Sequence, residues 1–142
     1  MKNEFTLKEK DKIAKAVYKN FQRAQLDLLY MSQHYNYYPE IDLFKIKEPT
    51  SSKQSDAQLL NQLERKQKLE EYVHIMNQIH SHLSKESYFF IENEYLNFYD
   101  RDWWMHYYSR STYYRVKHNV LNELIDTISR FWSDKDIIGL LR

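Results

Sequence analysis

Apolar residues recur every three or four positions near the start of the chain, which is the spacing of one face of an α-helix. Thr6 and Glu9 precede this pattern in the order of a capping box, in which the hydroxyl and the carboxylate each accept a hydrogen bond from a backbone N–H. The pattern therefore predicts a first helix from Thr6 to about His34. Its expected apolar face consists of Ile13, Val17, Phe21, Ala24, Leu28 and Met31.

A second helical pattern follows a long irregular segment. Residues 36–54 show no sustained period and contain both prolines, so we expect a loop there. Ser55-Asp56-Ala57-Gln58 is again typical of a capping box and predicts a helix to about Leu83. A wholly polar stretch, Glu64 to Lys68, interrupts its expected apolar face, which is Leu59, Leu63, Leu69, Tyr72 or Val73, Met76, Ile79 and Leu83. The two long helices together predict an antiparallel hairpin.

Three capping side chains divide the rest of the chain into three predicted helices. Ser84 would cap a helix that carries Tyr88, Phe89, Ile91, Tyr95 and Leu96. Asp100 would cap a short helix, Asp102 to about Tyr107, in which the neighbouring Trp103 and Trp104 cannot both face inward. Ser109 would cap a helix from Arg110 to about Phe131 with the inner face Tyr113, Val116, Val120, Leu124 and Ile128. We expect a hairpin over residues 1–83 and a three-helix unit over 84–142, either separate or forming one continuous domain.

The composition supports an all-α fold and excludes several classes of site. The 142 residues include one glycine, two prolines and no cysteine, against thirteen tyrosines, seven phenylalanines and three tryptophans. With one glycine, β-hairpins, Walker-type phosphate loops and Rossmann-type nucleotide sites are difficult to build. The absence of cysteine excludes disulfides, thiolate zinc sites and a cysteine nucleophile.

Charge and hydropathy predict a protein that is neither strongly basic nor embedded in a membrane. Lysine and arginine number 21 and aspartate and glutamate 20, for a net charge of +1. No apolar run is long enough for a transmembrane helix, and the first residues lack the apolar core of a signal peptide. We therefore expect a cytoplasmic protein without a membrane partner.

The three predicted C-terminal helices have the proportions of a helix-turn-helix, in which the second helix enters the major groove of DNA. Outward positions on the helix that follows Ser109 are Arg110, Ser111, Tyr114, Arg115 and His118. From His106 to Asn119 there are three cationic residues and no acidic one. Arginine recognises guanine edges or phosphate, and hydroxyl groups donate to phosphate. A solvated helix face with two arginines explains the same pattern equally well.

The sequence also resembles a known family. Ile91-Glu92-Asn93-Glu94-Tyr95-Leu96, a short helix and then Ser109-Arg110-Ser111-Thr112-Tyr113-Tyr114-Arg115-Val116-Lys117 are similar to ArpU/RinA-type phage transcriptional regulators, which resemble region 4 of sigma-70-like factors. The resemblance implies a DNA-binding regulator that contacts double-stranded DNA, RNA polymerase or both, without a cofactor. It implies that Ser109 caps the recognition helix, that Thr112 faces phosphate and that Arg115 faces DNA. The implied DNA-contacting set is Arg110, Ser111, Thr112, Tyr114, Arg115, Lys117 and His118.

Bulky residues replace two small ones of the family pattern. Tyr107-Tyr108 precedes Ser109 where a small step is usual, and the short helix contains Trp103-Trp104. These aromatics could stack on single-stranded bases, but a core in which they replace small residues is the favoured interpretation. The lysines of the first helix are interpreted as a solvated face, with an auxiliary phosphate contact as the minority view.

Other functions find little support in the sequence. The six histidines form no i, i+4 pair of the kind that binds zinc on a helix, so we expect no metal site. No nucleophile elbow or other catalytic motif is present, so we expect no enzyme and no catalytic residue. The alternative function is a helical interaction protein, for instance a homodimer, that has lost DNA binding.

Overall fold

The computed structural model describes residues 5–35, 52–97 and 100–139, and every regular element in these ranges is helical. The all-α prediction is therefore confirmed for this part of the chain. The elements, in chain order, are α1 (Leu7–Tyr35), α2 (Ser52–His82), α3 (Lys85–Ile91), a π-helical turn (Glu92–Leu96), a 3₁₀ helix (Trp103–His106), α4 (Arg110–Ile128) and α5 (Asp134–Gly139).

The start of α1 has the predicted capping box. The Thr6 backbone N–H donates to Glu9 Oε1 at 2.9 Å, and the Glu9 backbone N–H donates to Thr6 Oγ1 at 3.2 Å. The predicted apolar face is confirmed, because all of its members are buried except Leu28, which is half-buried.

Helix α2 begins at Ser52, three residues before the predicted start, so Ser55 lies within the helix rather than at its cap. No residue between Ser52 and Asp56 breaks a helix, and Pro49 is the last proline in the sequence. The expected loop 36–54 lies mostly outside the described residues. The polar stretch 64–68 is exposed as predicted, and Met76 and Ile79 are fully buried. Leu63 does not belong to the buried face, since its side chain is 53% exposed.

The chain divides into two compact units. Unit 1 contains residues 1–22 and 75–142, and unit 2 contains residues 23–74. In unit 1 the first turns of α1 bind the C-terminal region, for example through Lys10 and Asn122. The predicted boundary after residue 83 stays a prediction. Helices α1 and α2 each contribute residues to both units, and the hairpin arrangement stays a prediction.

In unit 1, α3 begins at the predicted cap and ends in a turn of wider helix. Ser84 Oγ accepts from the Ser87 backbone N–H at 3.2 Å, and Glu123 of α4 accepts from the Ser84 backbone N–H at 2.8 Å. The next residues form a π-helical turn, in which the Asn97 N–H donates to the Glu92 carbonyl at 2.8 Å. The sequence pattern did not distinguish this turn from a continuous α-helix.

The remaining elements correct the predicted helix lengths. The short element is a four-residue 3₁₀ helix with Asp102 at its N-cap and no side-chain cap bond, so the predicted Asp100 cap is wrong. The Asp100 carboxylate instead accepts from the Asp102 N–H at 2.9 Å, in the turn before the helix. Helix α4 ends at Ile128 rather than near Phe131. The short α5 was not predicted. Ser133 marks its start by accepting from the Asp136 N–H at 3.2 Å, and the fully buried Ile137 attaches it to unit 1.

Candidate nucleic-acid interface

Ser109 caps α4 as the sequence predicts. Its backbone is extended, and its Oγ accepts from the Thr112 backbone N–H at 3.2 Å. The same hydroxyl lies 2.9 Å from Thr112 Oγ1 and donates to it. The hydroxyl of the half-buried Thr112 is thus part of the cap, and the helix begins at the exposed Arg110.

Five of the seven predicted contact residues lie on the exposed side of α4. Arg110, Ser111, Arg115 and His118 are exposed, and Tyr114 is 49% exposed. Neither arginine, nor His118, forms an ion pair or a side-chain hydrogen bond with any other described residue. We call Arg110, Ser111, Tyr114, Arg115 and His118 the α4 surface.

The structure places Lys117 differently from these five residues. Its side chain is 15% exposed, and its ammonium lies 3.2 Å from Glu94 Oε2 and 3.2 Å from Asp11 Oδ1. It also lies 5.8 Å from the centre of the Tyr113 ring. Position 117 is one helical turn after the inward-facing Tyr113, so the two side chains share the buried side of α4. In this arrangement Lys117 binds α4 to α1 and to the π-helical turn and does not face outward.

A network of buried and half-buried polar groups, which we call the Glu94 cluster, lies behind α4. Glu94 accepts from Trp103 Nε1 at 2.9 Å, from the Tyr113 hydroxyl at 2.5 Å and from Lys117. Lys117 connects Glu94 to Asp11, which accepts from the Tyr95 hydroxyl at 2.7 Å. The π-helical turn, the 3₁₀ helix, α1 and α4 are thereby joined through side chains.

Burial and hydrogen bonding shift the pKa values in the Glu94 cluster. Burial tends to raise the pKa of Asp11, but the hydrogen bond from Tyr95 and the charge of Lys117 outweigh it and hold the pKa below its usual value. Burial, together with the neighbouring carboxylates, raises the pKa of both Tyr95 and Tyr113. At neutral pH the Asp11 carboxylate is therefore ionised, and the phenols of Tyr95 and Tyr113 are neutral.

Sequence reasoning missed this cluster. Asp11 lies among the lysines of α1 and Glu94 within a charged run, and both patterns are typical of solvated faces. The only local signal was the spacing of Tyr113 and Lys117, which places them on one side of α4.

Aromatic side chains fill the junction between α3, the 3₁₀ helix and α4. The Tyr113 ring stacks with those of Phe90 and Trp104, at centroid distances of 5.7 and 4.8 Å. Trp103 is 6% exposed and packs edge-on against Phe90, while Trp104 is half-buried. This confirms that aromatics form a core at the junction and that only one of the tryptophans is well buried.

Two large apolar side chains that precede α4 in the chain are exposed. Met105 is 59% exposed and Tyr107 is 61% exposed.

The histidines whose side chains the structure describes lie in other surroundings than a metal site. In the ranges 5–35, 52–97 and 100–139, no group of three or more metal-ligating side chains is close enough to hold an ion. His80 is instead half-buried against aromatic rings, with its Nε2 3.0 Å from the Tyr18 hydroxyl.

The described helices include none that is apolar over enough length to cross a membrane.

Comparisons with known proteins identify no similar protein. No protein-family model, no curated protein and no solved structure matches the chain.

Proposed function

We propose that the chain is a DNA-binding transcriptional regulator of the sigma-region-4-like type, with α4 as the recognition helix. The observation that supports this proposal is the α4 surface, whose two arginines and one histidine are exposed and without ion-pair partners among the described residues. The charged groups that would meet DNA are thus not already neutralised within the protein.

The first two turns of α4 would enter the major groove of double-stranded DNA. Arg110 and Arg115 can each donate two hydrogen bonds to a guanine edge or bind phosphate. The hydroxyl groups of Ser111 and Tyr114 can donate to phosphate oxygens and so set the position of the helix. Binding of this kind requires no cofactor. The family resemblance adds RNA polymerase as a further proposed partner.

The Glu94 cluster would hold the recognition helix in a fixed orientation. Tyr113 and Lys117 attach the buried side of α4 to Glu94 and Asp11, while Glu123 attaches its second half to the start of α3. A helix that is positioned before binding loses less conformational entropy when it meets DNA.

The proposal is tested by fluorescence anisotropy with a labelled AT-rich duplex and a mixed-sequence duplex, at about 50 and 200 mM salt. We expect affinity to fall with salt, because each neutralised phosphate releases counterions. The Arg115→Gln variant should bind several-fold more weakly and show a salt slope shallower by about one unit.

Arg130 provides the matched control, because it is also an exposed arginine but lies beyond the end of α4. Arg130→Gln should bind DNA like the unchanged protein. Failure of the unchanged protein to bind either duplex at low salt would refute the DNA proposal. Equal binding by Arg115→Gln and the unchanged protein would remove the α4 surface from the interface.

A second candidate function, assembly through unit 2, is favoured by a different observation. Unit 2 exposes large apolar side chains on both of its helices, namely Leu26, Leu29, Tyr30, Leu60 and Leu63, each more than half exposed at 53–66%. On α1 the three exposed residues share one face, since they are three and four positions apart. Such faces are typical of surfaces that another chain covers, here proposed as a second copy.

Light scattering coupled to size-exclusion chromatography tests the assembly proposal. A homodimer should convert to a monomer in the double variant Leu26→Lys, Leu29→Lys. Leu7→Lys is the control, because Leu7 is 37% exposed but belongs to unit 1. A monomer at high protein concentration would contradict assembly.

A further inference from the structure

A cavity of about 880 Å³ opens in unit 1 next to the π-helical turn. Its volume falls in the range of about 300–1,000 Å³ that is common for small-molecule sites. One stripe of α1, the π-helical turn and the residues that lead into the 3₁₀ helix supply most of its lining. The lining residues that matter here are Lys15, Lys19, Gln22, Asn93, Arg101 and Trp103.

The charged groups of this cavity leave an excess of positive charge. Lys15 pairs with Asp11 at 3.1 Å, whereas Lys19 and Arg101 are exposed and form no ion pair with another described residue. The lining also contains two acidic groups. Glu94 pairs with Lys117 and accepts from two further donors, and Asp100 accepts from the Asp102 backbone N–H. Three cationic side chains against two carboxylates leave the lining one positive charge in excess, and Lys19 and Arg101, which form no ion pair with another described residue, can attract an anionic ligand.

Two side-chain amides supply hydrogen-bond acceptors in the same lining. Gln22 Nε2 donates to the Leu96 carbonyl and Asn93 Nδ2 donates to the Phe89 carbonyl, each at 2.9 Å. These bonds fix both amides and use one N–H of each. Their Oδ1 and Oε1 atoms accept no hydrogen bond from another described residue. Fixed amide oxygens can accept from the amino or hydroxyl groups of a ligand.

The aromatic residues of the lining offer it a small exposed area. Trp103, Tyr95 and Tyr113 are 3–7% exposed, and Trp103 is held by its own Nε1–H donated to Glu94 and by edge-on packing against Phe90. Asn93 and Glu94 enter the lining from the π-helical turn, a backbone feature that occurs frequently at functional sites. A small, fixed aromatic area beside fixed polar groups can contact the edge of a flat ring system.

We propose that this cavity binds a phosphate ester of a flat nitrogen heterocycle, the chemical class of the nucleoside monophosphates. Lys19 and Arg101 bind the phosphate, the amide oxygens of Gln22 and Asn93 accept from the base or the sugar, and the edge of the ring system contacts the small exposed aromatic area of the lining. Arginine suits the phosphate because its donors match the oxygen geometry. The proposal is independent of DNA binding through the α4 surface, since none of those five residues lines the cavity.

The test is calorimetric titration of the full chain with the four common nucleoside monophosphates, followed in parallel by tryptophan fluorescence. At least one nucleotide should bind with a dissociation constant below about 1 mM. Its nucleoside and inorganic phosphate, titrated separately, should each bind at least about tenfold more weakly, because each lacks half of the contacts.

Variants locate the site. Lys19→Gln and Arg101→Gln should each weaken nucleotide binding about tenfold, and both side chains are exposed enough for the fold to tolerate the changes. Lys12→Gln is the matched control, because Lys12 is an exposed lysine of α1 outside the cavity lining. The proposal is overturned if none of the four nucleotides binds, if inorganic phosphate binds as tightly as the nucleotide, or if the Lys19 and Arg101 variants bind as the Lys12 variant does.

Discussion

At the scale of single residues, Glu94 decides how the C-terminal part of unit 1 is held together. Its carboxylate is 15% exposed and accepts from three side chains that belong to the 3₁₀ helix and α4. A carboxylate in this position is stable only because donors replace the water it has lost. Removing its charge leaves Lys117 with Asp11 alone and weakens the bonds from Tyr113 and Trp103.

Glu94→Gln should therefore lower the free energy of unfolding by about 2–4 kcal/mol, in the range known for breaking buried ionic contacts. Glu70→Gln is the control, because Glu70 is 57% exposed and its oxygen lies 4.0 Å from Lys66. That change should cost less than about 0.5 kcal/mol. Urea denaturation followed by circular dichroism measures both, and equal stability of the two variants would show that the Glu94 cluster does not stabilise the fold.

His80 makes stability depend on pH. The ring stacks on Tyr18 with centroids 5.6 Å apart and packs against Phe21 and Tyr88, and burial lowers the pKa of His80 from 6.5 to about 4. Between these two values the unfolded chain binds a proton that the folded chain does not. Stability therefore falls as the pH falls through this window, and His80 contributes no dependence above it.

We expect the free energy of unfolding to fall by about 1–2 kcal/mol between pH 7 and pH 4. This loss is smaller than the full pKa shift would give, because the His80 ring is only half-buried. His80→Phe keeps the ring packing but cannot be protonated, so its stability should change less over the same pH range. His74→Gln, at an exposed position, should behave like the unchanged protein. A pH dependence that survives in His80→Phe would assign it to other groups.

At the scale of elements, α4 has two sides with different tasks. The α4 surface is exposed, whereas Tyr113 and Lys117 bind the rest of unit 1. The two cationic residues Arg115 and Lys117 are close in sequence but lie on opposite sides of the helix, which separates their expected roles.

Lys117→Gln should lower stability by about 2–3 kcal/mol, because Glu94 and Asp11 lose the cation between them. Arg115→Gln should change stability by less than about 0.5 kcal/mol. In DNA titrations the order of the two effects should reverse. Arg115→Gln should reduce the salt slope, and Lys117→Gln should leave it unchanged. Thermal unfolding and anisotropy, measured on the same samples, test the predictions for stability and for DNA binding. A reduced salt slope in the folded Lys117 variant would place Lys117 in the DNA interface.

Local signals in the sequence predicted most of the helices. The Thr6, Ser84 and Ser109 caps and the apolar spacing depend on residues within one or two turns, and the structure confirms them. The π-helical turn and the inward Lys117 depend on partners that are distant in sequence, such as Asp11. Spacing along one helix carries no information about such partners. The five exposed positions of α4 were predictable because exposure follows from helical periodicity alone.

At the scale of the whole molecule, the described residues contain no backbone with positive φ. The single glycine, Gly139, ends α5, and a Cβ added there would meet nothing within 4 Å. The described fold thus makes no use of the conformational freedom of glycine.

Gly139→Ala should consequently leave the free energy of unfolding unchanged or raise it by up to about 1 kcal/mol, because alanine restricts the unfolded chain and favours helix. Thermal unfolding monitored by circular dichroism measures the change. Ile137→Ala is the contrasting variant, since Ile137 is fully buried, and it should cost about 2–4 kcal/mol. A destabilising Gly139→Ala would mean that the end of α5 requires a backbone that alanine cannot adopt.

The π-helical turn makes unit 1 sensitive to chain length as well as to residue identity. It accommodates one more residue than an α-helical turn, and Glu94 and Tyr95 occupy it. If one residue of the turn were deleted, an ordinary α-helical turn would re-form, and the remaining side chains of the turn would point in new directions around the helix axis. Glu94 would then no longer reach Trp103 and Tyr113 while Tyr95 reaches Asp11, although all of these side chains would still be present. A chain related to this one should therefore keep the number of residues between Ser84 and Asn97 more strictly than the residues themselves.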